Sequence, residues 1–154
     1  MKDYILGVDL GGTNIKAAAY RLGSYEKVGE KRLPTQVEGG WEHVLGRVLA
    51  ALEELLRHTP RERVLCVGMG VPGLPDIEGG VSRFSPNFPQ WEDVPVAAWL
   101  EERLLGPARR VVESHALAIS RAGCEIVTAQ LGDAAGMLGA AVYGARRMGE
   151  GARM

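Results

Sequence analysis

Cysteine is scarce: Cys66 and Cys124 are the only two in 154 residues. Both lie in apolar, strand-like runs, so no disulfide framework is expected. They read as reduced, buried, small hydrophobes of a cytoplasmic chain. Net charge is scarce as well. At −1 it gives no electrostatic hold on nucleic acid or an anionic membrane, and neither partner is expected. No apolar run approaches the roughly 20 residues of a spanning helix. The opening Met1-Lys2-Asp3 leads into a short strand-like segment, so no secretory signal is expected. Gly-x4-Gly-Lys-Ser/Thr occurs nowhere, which removes the Walker A type of nucleotide loop. What remains is a chain of one-domain size, long enough to bury about 68–70% of its unfolded surface.

The densest chemistry lies in Gly7-Val8-Asp9-Leu10-Gly11-Gly12-Thr13-Asn14-Ile15-Lys16. A strand (Tyr4 to Leu10) is expected to enter a small-residue turn and leave as a second strand (Ile15 to Tyr20). Glycine allows the backbone to turn through φ > 0 and leaves successive N–H groups uncovered. A concave run of N–H groups attracts phosphate oxygens, and Thr13 adds a hydroxyl donor. Asp9, just before the turn, is placed to hold a phosphate-bound Mg²⁺ through water. Turn chemistry alone leaves a plainer alternative open: an ordinary hairpin with Asp9 as a hydrogen-bond acceptor.

The whole ten-residue string resembles the first phosphate loop of actin/hexokinase-like sugar kinases, in the form used by the ROK family of bacterial glucokinases, related kinases and repressors. Gly68-Met69-Gly70-Val71-Pro72-Gly73, followed by Ser85-Pro86-Asn87-Phe88 and Trp91, resembles that family's sugar-side loops. Ala129-Gln130-Leu131-Gly132-Asp133-Ala134-Ala135-Gly136-Met137-Leu138-Gly139-Ala140-Ala141 resembles its closing helix. The resemblance implies a ribonuclease H-like (actin/hexokinase-type) α/β small domain. It also implies ATP with Mg²⁺ as cofactor, and Asp9, Gly11, Gly12, Thr13, Asn14 and Lys16 as the nucleotide phosphate and Mg²⁺ residues. Gly73, Pro86 and Asn87 become sugar residues: Gly73 would let a ring approach the backbone, and Asn87 offers a donor and an acceptor to hydroxyls. Two prolines and a glycine after a strand also make a rigid loop whatever the function. Phe88 and Trp91 read as packing residues.

Set against the family pattern, the middle of the chain is short. Residues 1–113 resemble the amino-terminal small domain, 123–154 the carboxy-terminal strand and closing helix, and 114–122 form a seam within one α/β domain (1–154). In the family, a strand such as Arg110-Val111-Val112-Glu113 leads into Asn-Asp-x-Asn-Ala, whose Asp is the general base. Here Ser114-His115-Ala116-Leu117 follows, and no Asp or Asn occurs between Glu113 and Asp133. The second phosphate loop and the zinc cluster of the pattern are also missing. No catalytic residue and no zinc are therefore assigned. His115 has no evident acidic partner and reads as a surface or seam residue rather than a substitute base. Asp133 reads as an N-cap.

Periodicity completes the architecture. Tyr4–Leu10, Ile15–Tyr20 and Tyr25–Leu33 are expected as an antiparallel meander. Trp41, Val44, Leu45, Val48, Leu49, Leu52, Leu55 and Leu56 form one apolar stripe on a helix that ends before Pro60. Val64–Val71 reads as a central strand buried on both faces. Val94–Leu105 reads as a second helix starting around Pro95, and Arg110–Glu113 as a strand. The small residues 134–145 suit a helix packed closely on a sheet. The sum is a mixed sheet flanked by helices.

Three functions follow. The first is ATP-dependent phosphorylation of glucose or a related hexose, with the catalytic set incomplete. The second is a non-catalytic small-domain module that acts by nucleotide or sugar binding or by oligomerisation, with a homodimer expected around Ser114–Gly123. The third, repression, is disfavoured because the first strand begins within about four residues of Met1, with no helix-turn-helix before it.

Overall fold

A strand buried on both faces carries apolar or small side chains at every position, and Val64–Gly70 (β4) is such a strand. In the computed structural model, which describes residues 1–104, 126–129 and 136–151, β4 lies inside a five-stranded sheet. β1 (Tyr4–Leu10), β2 (Asn14–Arg21) and β3 (Lys27–Pro34) form the expected antiparallel meander, and β8 (Ile126–Ala129) closes the order β3-β2-β1-β4-β8. β1 and β4 run parallel, as do β4 and β8. The register places Asp9 opposite Lys16 on one side and Gly70 on the other, with Gly70 opposite Ala129.

Each face of the sheet has its helix. α1 (Gly40–Leu56) runs for 17 residues and buries Val44, Leu45, Val48, Ala51, Leu52 and Leu55, the stripe seen in the sequence. These meet Leu6, Val8, Leu10, Ile15, Ala17 and Ala19 from β1 and β2. Full burial of one such side chain stabilises by about 1.5–3 kcal/mol, and truncating Leu52 to Ala would cost about 2–5 kcal/mol. Strand alternation sends Ile5, Ala18, Tyr20 and Cys66 to the opposite face. There they join Ala141 of α3 (Gly136–Gly151), with Met137, Ala145 and Met148 alongside. Helix α2 (96–104) adds Val96, Leu100 and Leu104 to the α1 side of the core.

Beyond shifts of one residue at the ends of β2, β3 and β4, the structure differs from the sequence expectation in three places. β3 starts at Lys27 rather than Tyr25, because Tyr25 takes φ 56° in a turn closed by its N–H to the Arg21 carbonyl. Val94 is not helical: it ends β7 and pairs with Ser82. The stretch between β4 and α2 is more than a loop, since β5 (Leu74–Asp76), β6 (Val81–Phe84) and β7 (Glu92–Val94) form a second, three-stranded antiparallel sheet. Arg83 bridges it, reaching Asp76 at 2.7 Å and Asp93 at 2.9 Å. The expected strand Arg110–Glu113, the seam 114–122, His115, Cys124 and Asp133 lie outside the described residues.

Candidate functional site

β1 reverses into β2 through residues 11–13, with Leu10 opposite Ile15 and the Gly11 N–H donating to the Asn14 carbonyl at 3.0 Å. Neither Gly11 nor Gly12 adopts left-handed φ, which corrects the expectation of a turn through φ > 0. Their smallness serves space instead. A Cβ on Gly11 would lie 3.0 Å from the Asn14 carbonyl oxygen, and one on Gly12 would point toward Asn87 Cβ, 3.9 Å away. Gly12 and Thr13 are exposed, and among the described residues no backbone hydrogen bond engages their N–H groups. Such groups are free to meet an anion.

Asp9 sits one residue before the end of β1 and is partly buried. Its Oδ2 lies 3.9 Å from Lys16 Nζ, the long limit of an ion pair that is itself partly solvated and hence weak. Alternation puts both side chains on the α3 face, two residues from Gly7, where α3 begins to cross the sheet. Asn14 is partly buried and pairs with Pro34 of β3. The hairpin is pinned by a residue that carried no sequence signal. Fully buried Thr35 donates its hydroxyl to the Gly11 carbonyl at 2.6 Å, and its N–H to the Thr13 carbonyl at 2.9 Å.

The second loop stands beside the first. Pro86 and Asn87 are exposed. Their loop is anchored by buried Phe88 and Trp91, whose ring centroids lie 4.8 Å apart, and by Trp91 Nε1 donating to buried Ser82 Oγ at 2.7 Å. Both aromatics thus pack, as the sequence suggested. Ser85 is 2% exposed, and its hydroxyl has no hydrogen-bond partner among the described residues. Gly73 takes φ +93°, and a Cβ there would fall 2.0 Å from the Phe84 carbonyl oxygen, so the backbone of the small sheet already demands glycine at this position. Among the described residues, no group of three or more His, Cys, Asp or Glu is arranged to hold a metal ion.

Two glycines of the motif strings turn out to serve packing. A Cβ on Gly7 would sit 1.9 Å from the Met137 carbonyl oxygen, and one on Gly68 1.8 Å from that of Ala140. The backbone of α3 therefore lies directly on β1 and β4, which only glycine permits. Close packing of the small-residue helix was the expectation; its glycine counterparts in the strands went unread.

A mixed sheet with this hairpin at its end is compatible with many functions, and the comparison with known proteins narrows them. The model of the ROK family matches residues 5–122. The chain belongs to the ROK family. A glucokinase of Thermotoga maritima is 39% identical over 103 residues, which is 64% of this chain and 30% of that protein. The solved ROK hexokinase of Thermus thermophilus is 34% identical with a TM-score of 0.57, over 66% of this chain and 32% of its own. A ROK family glucokinase of Streptomyces griseus, solved with glucose and AMPPNP, has a TM-score of 0.59 at 22% identity, over 81% of this chain and 32% of its own. At that identity the likeness supports the fold only. The chain is thus a ROK sugar kinase-like protein with a ribonuclease H-like, actin/hexokinase-type α/β fold, and its matches span about a third of each relative's length. No helix among the described residues is long and apolar enough to cross a membrane.

Proposed function

We propose that this chain carries the small-domain half of a ROK kinase site, binding the phosphates of Mg-ATP at the hairpin and a hexose at the loop of Pro86 and Asn87. The observation that carries the proposal is the meeting of Gly12 and Asn87, with a Gly12 Cβ only 3.9 Å from Asn87 Cβ. Phosphoryl transfer needs the donor phosphate and acceptor hydroxyl held side by side, and these two loops stand side by side at one end of β1 and β4. The residues present fit the cofactor: bare Gly12, the Thr13 hydroxyl, and Asp9 with Lys16 one residue pair below the turn. Asp9 would hold the phosphate-bound Mg²⁺ through water, and the ion, when bound, would neutralise phosphate charge. Asn14, Gly11 and Lys16 complete the phosphate side. Gly73, Pro86 and Asn87 shape the sugar side, where the unmet Ser85 hydroxyl adds a polar group. The relatives at 39% and 34% identity, a glucokinase and a ROK hexokinase, support a hexose and its phosphoryl donor as the ligand classes.

Transfer itself is outside the reach of this set. A general base contributes typically 10²–10⁴-fold, and the sequence offers no Asp or Asn between Glu113 and Asp133. The protein is read as a small domain (1–113, seam 114–122, closing segment 123–154) whose central partner domain is missing, active as a binding or oligomerising module. The test is a coupled assay of ADP formation with and without glucose. The expected rate equals the no-sugar control. Glucose-dependent turnover that survives further purification and disappears in Asp9→Ala would overturn this reading.

A further inference from the structure

We propose that Thr35 is a positioning residue of the phosphate hairpin, a role that rests on the reading of residues 11–13 as a phosphate site. A three-residue reversal holds one ladder bond of its own, Gly11 N–H to the Asn14 carbonyl, and glycines leave its remaining torsions soft. Thr35 supplies the missing restraint from outside. Its hydroxyl donates to the Gly11 carbonyl at 2.6 Å and its N–H to the Thr13 carbonyl at 2.9 Å, so both ends of the turn are tied to one residue. With these two carbonyls drawn toward Thr35, the N–H groups of Gly12 and Thr13 stay available to an anion. Thr35 is fully buried and meets the hairpin only through its backbone carbonyls in these bonds. It therefore acts on a ligand through the hairpin. It is itself fixed from both sides. Pro34 before it pairs with Asn14 and accepts a bond from Arg47 of α1 at 2.6 Å. Gln36 after it is held at φ 56° at the start of the turn that leads into α1. The hairpin is thereby referenced to α1 as well as to its own strands, and preorganised donors bind better than mobile ones.

The test compares Thr35→Val, which removes the hydroxyl at nearly constant volume, with Thr35→Ser, which keeps it. Thr35→Ala stands in should the valine variant fail to fold. The readouts are Mg-ATP affinity by calorimetry and amide exchange, in ¹⁵N-labelled protein, of Gly11 and residue 35, whose N–H groups bond to the Asn14 and Thr13 carbonyls. Losing one hydrogen bond should weaken Mg-ATP binding roughly five- to tenfold and speed hairpin exchange, while Thr35→Ser stays near wild type in both. Unchanged affinity and unchanged exchange in Thr35→Val, or a serine variant as weak as the valine one, would overturn the role. A wild-type chain that binds no Mg-ATP would sink the phosphate reading alone. The exchange rates would then still decide whether Thr35 holds the hairpin.

Discussion

Two buried serines, Ser82 in the small sheet and Ser85 just after β6, show how much a single hydroxyl depends on its partner. Ser82 Oγ accepts from Trp91 Nε1 at 2.7 Å, whereas Ser85 Oγ has no partner among the described residues. Ser82→Ala strands a buried indole N–H and should cost about 1–3 kcal/mol, while Ser85→Ala gives up no hydrogen bond and should be neutral or stabilising. Urea midpoints of the two variants check this, and the reverse order would refute the packing described for the loop. Asp76 sets a pH dependence in the same sheet. Its carboxyl is held below the ordinary carboxylate range, first by the Gly79 N–H and then by Arg83. A depressed folded-state pKa contributes stability above the unfolded value, near pH 3.9, that fades as pH falls through the folded one. Wild type should therefore lose stability below about pH 4 more steeply than Asp76→Asn. Parallel acid-denaturation curves for the two proteins would contradict it. The contribution is modest, because the carboxylate remains partly open to solvent.

Among the elements, the interface of α3 with the sheet is the least tolerant. The Met137 and Ala140 carbonyls occupy the positions where Cβ atoms of residues 7 and 68 would stand. Gly7→Ala and Gly68→Ala must therefore push α3 off the sheet, at about 1–3 kcal/mol or more each. Faster proteolytic cleavage within 136–151, together with a lower denaturation midpoint, is the expected result; an unchanged midpoint would mean that α3 docks elsewhere. What the sequence revealed follows from the range of the forces. β1 and α1 were legible because seven and 17 residues carry a mostly apolar run or a sustained stripe. β5 to β7, at three or four residues each, are too short for periodicity to show. Gly7 and Gly68 looked like motif glycines because their packing partner lies far along the chain. Thr35, a lone threonine after a proline, is meaningful only once the hairpin is folded beside it. Asn87 and Gly12 were singled out by resemblance, and their juxtaposition came from the fold.

For the molecule as a whole, the sheet ends in two unlike edges. β3 carries Lys27, Glu30, Lys31 and Arg32, charges that discourage edge pairing. β8 is the outer strand on the other side among the described residues. Self-association through that side would give a two-fold dimer, the commonest closed arrangement. Sedimentation equilibrium should show a dimer, and a monomer at high micromolar concentration would refute it. Binding at the hairpin is the claim on which the rest stands. Its most direct test is calorimetry of Mg-ATP with the wild-type chain and with Gly12→Val, whose side chain would fill the gap between Gly12 and Asn87. The expected result is weak binding by the wild type and none by the variant. No binding by the wild type, or submicromolar affinity that persists in Gly12→Val, would contradict the account.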